Sequence, residues 1–327
     1  MDYCNVLITG VAGFMGSHLA IFLVKKYQKI NFVAIDKISY CSNVKNFLEV
    51  MTMPNFKYQQ LDFTDFDQLD QLFEKYKFDA IIHLGAYTHV DHSFGNSLLF
   101  THNNVVGTHM LLEVARKYGI KRFLHMSTDE IYGSKETILT EESLLDPTNP
   151  YSATKAAAEH LVKSYYHSFK LPIVIVRSNN TYGASQFPEK VIPKFILRLL
   201  GNKKCQIQGS GNQKRTFVYI DDFVQAIDII LNKGKNGEIY NIASSDEMTI
   251  NELATMIVKQ LAPNKELIEY VKDREFNDIR YHIDAQKLYN LGWRQNILLN
   301  EGLAKTIDWY KNNQDYWSDE QLGSLLE

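Results

Sequence analysis

The segment Gly10-Val-Ala-Gly13-Phe-Met-Gly16, set directly behind the short apolar run Asn5 to Thr9, leaves this chain few folds to choose from. A strand that turns at one glycine straight into a helix lets the backbone come close to a bound diphosphate. Gly10 permits the tight turn, Gly13 allows the close approach and Gly16 lets the helix pack against the strand, so the diphosphate rests at the helix N-terminus. Asp36 follows 20 residues after Gly16, at the end of the second apolar run. A carboxylate there accepts hydrogen bonds from adenosine ribose hydroxyls and repels a 2′-phosphate, which predicts NAD rather than NADP. Lys37 and Lys25 work slightly against that choice.

The rest of the first half repeats the strand-then-helix pattern. Runs at Asn5 to Thr9, Asn31 to Ile35, Phe56 to Gln60, Ala80 to Leu84, Arg122 to Met126 and Ile173 to Val176 read as strands. Helical periodicity separates most of them, over Gly13 to Lys26, Asp65 to Lys75, Leu98 to Tyr118 and Ala153 to Phe169. This predicts an α/β fold with a doubly wound parallel sheet. After Arg177 the alternation weakens, leaving a helix-like stretch at Ile192 to Leu200, a candidate strand at Phe217 to Ile220 and the run Ile239 to Ala243. The expected division is a nucleotide-binding domain over 1–176, with 216–243 contributing to it, and an interleaved substrate lobe from 177–215 and 244–327.

Composition excludes several other classes. The 327 residues are 45% hydrophobic and 22% charged with a formal net charge of −3, ordinary for a globular protein and unsuited to nucleic acid or an anionic membrane surface. Cys4, Cys41 and Cys205 are odd in number and widely spaced, as expected in a reducing compartment. The start, Met1 to Gly10, has neither signal-peptide nor membrane-span character, so a cytoplasmic location is expected. His83, His89, His92, His102 and His109 show no metal-ligand spacing, and no metal is expected.

Two further groups of residues describe chemistry. Tyr151 and Lys155 stand four apart at a helix start and so share a face. The ammonium is expected to lower the phenol pKa, making Tyr151 a base toward an alcohol undergoing oxidation. Thr128, Asp129 and Glu130 follow the Arg122 to Met126 strand and add an acid/base pair, which suits a second step in which a proton and a hydroxyl leave the same substrate. Two carboxylates in one desolvated site disfavour double ionisation, which supplies an acid form. Neighbours in a regular strand point to opposite faces, so the pair reaches one substrate only if the chain turns after Ser127.

The Gly-x-x-Gly-x-x-Gly spacing with Tyr151-Ser-Ala-Thr-Lys155 resembles the extended short-chain dehydrogenase/reductases. Thr128-Asp129-Glu130-Ile-Tyr-Gly, Thr88-His-Val-Asp-His-Ser93, Asn149-Pro-Tyr151 and Gln186-Phe-Pro-Glu-Lys190 resemble the nucleoside-diphosphate-glucose 4,6-dehydratases within that group. Asn277-Asp278-Ile279-Arg280-Tyr281 resembles the UDP-glucose dehydratase module of plant-type rhamnose synthases. The resemblance implies oxidation at carbon 4, water elimination across carbons 5 and 6, and hydride return to carbon 6. Glu130 is then the base at carbon 5, Asp129 the acid at the 6-hydroxyl, and Thr128, Tyr151 and Lys155 complete the catalytic set.

Expected NAD contacts are Gly10, Gly13, Phe14, Met15, Gly16, Asp36, Lys37, Asp62, Phe63, Leu84, Ala86, Tyr151 and Lys155. The resemblance places Thr88, His89, Asn180, Glu189, Lys190 and Asn277 at the substrate and makes Arg215 and Arg280 the diphosphate ligands. Gln208-Gly209 and Gly183-Ala184 depart from the bacterial thymidine-type pattern, which favours UDP-glucose over dTDP-glucose. Rhamnose or another deoxysugar lies downstream. A homodimer through the Leu98 to Tyr118 and Ala153 to Phe169 helices is implied by analogy. A 4-epimerase or decarboxylase on the same fold, or a catalytically silent NAD-binding protein, remain the competing readings; neither requires both carboxylates.

Overall fold

The computed structural model describes residues 3–263 and 266–323. In chain order its strands are β1 (Asn5–Thr9), β2 (Asn31–Asp36), β3 (Phe56–Gln60), β4 (Ala80–His83), β5 (Arg122–Met126), β6 (Ile173–Ser178), β7 (Asn180–Tyr182), β8 (Cys205–Gln208), β9 (Lys214–Tyr219), β10 (Ile239–Ile242), β11 (Glu247–Thr249) and β12 (Ile268–Val271). Seven form one sheet in the order β10-β6-β5-β4-β1-β2-β3, every pair parallel. The order reverses between β1 and β4, and ligands bind beyond the strand ends at such a point.

Both faces of this sheet are covered, so its strands are apolar throughout and alternate between two cores. Val6, Ile8, Ala34, Ile82 and Val174 pack on one side. Leu7, Val33, Ile35, Ile81 and Ile173 pack on the other. Register levels the strand ends: Thr9 stands beside Ile35, and Met126 beside Val176. The loops after β1 and β2, and those after β5 and β6, therefore emerge side by side.

Several elements differ from the sequence reading. The helix expected over Leu98 to Tyr118 is α-helical only at Ser97–Phe100 and Gly107–Tyr118, with a π-helical segment at Thr101–Val106 between them. The wider turn buries Asn103 and Asn104; Asn104 exchanges hydrogen bonds with the Tyr87 backbone and donates to Thr154. The strand expected at Phe217 to Ile220 runs instead over Lys214–Tyr219, and Ile220 opens a 14-residue helix to Lys233. That helix leads into β10, so the strand-helix alternation continues past Arg177; with neither glycine nor proline between strand and helix, the sequence gives no break to read. Two small sheets, β11-β9-β7 and β12-β8, form the remaining strands.

Candidate active site

A cavity of about 660 Å³ opens at the C-terminal ends of β1, β4, β5 and β6 and runs toward β8, β9 and β12. At one end it is walled by the glycine turn. Gly10 has φ +76° and Gly16 lies so close behind it that a Cβ on Gly16 would stand 2.0 Å from the Gly10 carbonyl oxygen. Any side chain at either position would open the turn. The helix Phe14–Lys26 follows, with Gly13 as its N-cap and no side chain capping it, so its first amide groups remain available to an anion.

Asp36 ties this turn to β2. Its carboxylate accepts from the amides of Ala12 at 3.0 Å and Ile38 at 2.8 Å and from the Ser42 hydroxyl at 3.3 Å. Burial raises its pKa, with these bonds opposing. Phe14, Met15, Lys37, Phe63, Leu84 and Ala86 line the same cavity. Asp62 instead borders an adjoining cavity of about 590 Å³ together with Lys37 and Tyr87, and its carboxylate lies 3.4 Å from Lys37. Of the residues expected to hold NAD, all but Asp62 line this one cavity, and Asp62 borders the adjoining one.

The chain does turn after Ser127. Thr128 is extended (φ −141°, ψ 155°) and caps a 3-10 turn over Asp129–Tyr132, accepting from the Glu130 amide at 3.3 Å. The turn ends at Gly133, whose φ of +71° and proximity to the Asp146 carbonyl admit no side chain. Asp129 and Glu130 consequently leave from one turn rather than from opposite faces of a strand. Asp129, 2% exposed, accepts from Asn179 at 2.6 Å and from Thr128 at 3.3 Å. Glu130 accepts from Asn149 at 3.4 Å and lines the cavity, while Asp129 sits just behind that wall.

Both carboxyls hold protons more tightly than usual. Burial pushes Asp129 up to about 7, and the Glu130 charge adds to it. Glu130 is also raised by burial, but Lys190, Arg215 and the Asn149 bond pull the other way. Asp129 is therefore the partner suited to carry the proton and Glu130 the one suited to lack it.

Asn149 also starts the next element. Its side chain caps the helix Pro150–Phe169 in a reciprocal box with Ser152, which fixes Tyr151 and Lys155 on the first turns. Here one expectation is corrected. Lys155 donates to the Met126 carbonyl at 2.6 Å and burial lowers it to about 8. The Tyr151 phenol is pushed up, by burial and then by the Glu130 and Asp129 charges, with a bond to Thr128 opposing. Burial first, and two acids close by, keep the proton on the phenol.

Among the expected substrate residues, Thr88, His89, Asn180, Glu189, Lys190, Arg215 and Asn277 line the cavity. Lys190 donates to the Thr88 carbonyl at 3.0 Å, and Tyr40 donates to Glu189 at 2.7 Å. Arg215 donates to Asn277 at 3.1 Å and to the Asp278 carbonyl at 2.9 Å, and stacks on Tyr281. Arg280 is not brought to this site. Its guanidinium turns to Glu247 on β11 at 2.6 Å and to the Glu136 carbonyl at 2.7 Å. A bridge pairs Arg280 with Lys214, and along such an extended stretch side chains alternate, so Tyr281 faces the cavity and Arg280 faces away.

The histidines also need revision. His89 and His92 meet Glu189, with one ligand atom from each within 4.8 Å of the others, a grouping that sequence spacing hid because Glu189 comes from a distant loop. Burial and then the Lys190 charge push His89 down to about 3, and a cation placed among these residues would meet that same ammonium, 3.5 Å from Glu189. Asn149, Asn179, Asp278 and Tyr281 were not singled out for the site from sequence. Asn149 had a local signal in the Asn-Pro helix start, Asp278 and Tyr281 stood in a motif quoted for the resemblance but were given no role, and Asn179 had no signal.

The family model described as GDP-mannose 4,6 dehydratase matches residues 7–306. The dTDP-D-glucose 4,6-dehydratase of Dictyostelium discoideum is 46% identical over 96% of this chain and 83% of its own. The trifunctional UDP-glucose 4,6-dehydratase/UDP-4-keto-6-deoxy-D-glucose 3,5-epimerase/UDP-4-keto-L-rhamnose-reductase of Arabidopsis thaliana is also 46% identical, over 98% of this chain, which spans 49% of that longer protein. Among solved structures, the dTDP-glucose 4,6-dehydratase of Streptomyces venezuelae with NAD bound superposes with a TM-score of 0.93 at 35% identity, covering 97% of this chain and 99% of that one. The UDP-glucose 4-epimerase of Thermotoga maritima superposes at 0.88 with 27% identity, covering 95% and 100%. With a glycine turn, a Tyr-x-x-x-Lys helix and Glu130 on one cavity and Asp129 just behind its wall, this chain belongs to the GDP-mannose 4,6-dehydratase family and carries its extended short-chain dehydrogenase fold.

Proposed function

We propose that this chain is an NAD-dependent nucleoside-diphosphate-glucose 4,6-dehydratase. The observation that carries the reading is the 3-10 turn at Asp129–Tyr132, which sets two buried carboxyls, both with raised proton affinity, next to Tyr151. Bound NAD supplies the hydride acceptor for carbon 4 and the hydride returned to carbon 6. Thr128 and Tyr151 hold the 4-hydroxyl, and Tyr151, as phenolate, receives its proton as the ketone forms. Burial and two acids oppose phenolate in the free cavity, so the positive charges of the oxidised cofactor and Lys155 act against them.

The ketone acidifies the hydrogen on carbon 5. Glu130 removes that proton, the carbon 6 to oxygen bond breaks, and Asp129 gives its proton to the departing oxygen, so one water leaves. Glu130 then returns a proton to carbon 5 as carbon 6 is reduced. Arg215 offers paired donors to the substrate diphosphate, and Thr88, His89, Asn180, Glu189, Lys190 and Asn277 border the sugar and nucleotide. A 4-epimerase on the same fold needs no acid at carbon 6, and the raised Asp129 argues for one.

UDP-glucose is the preferred substrate in this reading. Gln208 at the far end of the cavity is held by Arg274 at 2.8 Å, where the resemblance places a tyrosine in thymidine-type enzymes. The two bases differ by one methyl group, a contact worth only ~1–3 kcal/mol, so turnover of dTDP-glucose is expected as well. The location proposed is cytoplasmic; among the described residues no helix is long and apolar enough to cross a membrane. A homodimer is proposed through the helices Gly107–Tyr118 and Pro150–Phe169, beside which Leu98 and Phe169 are exposed.

The test is to incubate purified protein with UDP-glucose and with dTDP-glucose and follow each sugar nucleotide by mass spectrometry. Loss of one water from either is expected. Retention of full mass with both overturns the proposal.

A further inference from the structure

Asp129 has two oxygens, and they are not equivalent. Oδ2 accepts from the Asn179 amide at 2.6 Å, while Oδ1 accepts from the Thr128 hydroxyl at the longer 3.3 Å. An amide nitrogen can only donate, so the oxygen facing it cannot carry a proton without losing that bond. The hydroxyl of Thr128 can turn and accept. A protonated Asp129 therefore carries its proton on Oδ1, on the side of Thr128 and Tyr151.

Among the described residues nothing else bonds the Asn179 side chain. It is 3% exposed, its Nδ2 is committed to Asp129 and its own Oδ1 has no partner. Its backbone is fixed as well, because the Asn179 amide donates to the Ile242 carbonyl of β10 at 3.0 Å. The level ends of β5 and β6 set the two residues facing each other across the sheet edge.

We propose that Asn179 is a positioning residue for the elimination step, confining the Asp129 proton to Oδ1 so that it is aimed at the departing 6-hydroxyl; this rests on the dehydratase reading above. Oxidation at carbon 4, which uses Tyr151, does not depend on it. In chemical balance, the Oδ1 to hydrogen bond breaks, the proton joins the leaving oxygen, and the resulting carboxylate keeps its bond from Asn179. Asn179 thus both aims the proton and accepts the charge left behind.

The experiment compares wild type, Asn179→Ala, Asp129→Asn and the double variant, each with NAD bound, in single turnovers with UDP-glucose. Cofactor reduction is read at 340 nm and water loss by mass spectrometry. The expected result for N179A is unchanged reduction, which also reports a folded site, with elimination slowed roughly ten- to hundredfold, the range for one hydrogen bond to a charged group. Reduced cofactor should accumulate. The alkaline fall of the elimination rate should move to higher pH, since the Asn179 bond is one of the influences that lower the Asp129 proton affinity.

In the D129N background the same substitution should have no further effect, because a residue acting only through Asp129 has nothing left to act on. Multiplying effects in the double variant, an unmoved pH profile, or reduction and elimination falling together would each overturn the role. Wild type that forms no dehydrated product from either nucleotide sugar removes the dehydratase reading, and this role with it. Normal wild-type turnover with N179A unimpaired removes the role alone.

Discussion

Glu159 and Asp129 are both buried carboxylates, within reach of the same helix and sheet edge, yet they respond to burial in opposite ways. Glu159 is fully buried, and burial by itself would raise its pKa. The Arg177 guanidinium grips both its oxygens, Lys163 adds a contact at 3.0 Å, and the carboxyl ends below the ordinary range. Asp129 receives only an amide and a hydroxyl and is pushed up to about 7. Burial sets the stakes and the partner decides the charge: a paired carboxylate holds structure, while one denied a cation keeps a proton for chemistry.

The two sites are also mechanically joined. Arg177 donates from its third nitrogen to the Tyr132 hydroxyl at 2.5 Å, and Tyr132 closes the turn that carries Asp129 and Glu130. Tyr132 passes the chain of bonds to Asn241 on β10 at 3.0 Å. The permanently charged pair thereby anchors the turn on which the reactive pair rides.

The largest effect expected on this contrast comes from the reactive side. Glu130→Gln keeps the shape but removes the base, so exchange of the carbon 5 hydrogen with solvent should fall by roughly 10²–10⁴. Cofactor reduction should persist and thermal stability should hardly change. Deuterium incorporation at carbon 5, followed by NMR, decides it, and undiminished exchange would remove Glu130 as the base.

Next comes the structural side. Arg177→Met leaves Glu159 buried with no guanidinium, and loss of one partner of a buried pair costs about 3–5 kcal/mol. Denaturant unfolding should show that drop in the variant, largest at neutral pH. The sign follows from the lowered pKa of Glu159: its contribution is present above the unfolded carboxylate value and is lost as pH falls through the folded one. Equal stability of wild type and variant at neutral pH would mean that the contrast between the two carboxylates is wrong.

How much of this contrast was open to reading beforehand depends on where the partners lie. The cofactor wall was legible because it is local: Gly10, Gly13, Gly16 and Asp36 share one strand-helix-strand unit, and their spacing states their geometry. The doublet and the Tyr151–Lys155 helix were legible as chemistry, but not as electrostatics. Asn179 and Arg177 come from β6 and its end, set beside the β5 turn by strand register, and Asp278 arrives on a loop far off in sequence. Arg280 was misplaced for a related reason, since a one-residue alternation decides whether a side chain meets the diphosphate or Glu247. The π turn at Thr101–Val106 was hidden because its apolar spacing differs little from that of an α-helix.

A smaller effect separates stability from activity at Asp129 itself. Its folded pKa is raised, so relative to the unfolded chain the ionised group costs stability once pH exceeds the ordinary carboxylate value, about 3.9, and the cost is complete above about 7. Asp129→Asn removes it. The variant should lose elimination yet become more stable at pH 8 by up to about 4 kcal/mol, the equivalent of that shift, with little gain at pH 3.5, where the acid is mostly protonated in both states. Melting curves across that range test it; a loss of stability at pH 8 would place Asp129 with Glu159 instead.

The smallest expected effect concerns the two arginines of the outer lobe. Arg215 lines the cavity, whereas Arg280 pairs with Glu247 on a half-buried edge outside it, where such pairs contribute on the order of 1 kcal/mol. Arg280→Ala should therefore change stability by no more than that and leave KM for the sugar nucleotide nearly untouched. Arg215→Ala should raise KM severalfold to tenfold or more, because it removes paired donors from a diphosphate inside the cavity. The two substitutions delete the same charge, so the ratio of their KM effects measures placement alone. If Arg280→Ala raised KM as much as Arg215→Ala, the guanidinium would have to leave Glu247 for the substrate, and the lobe would have to rearrange when the nucleotide binds.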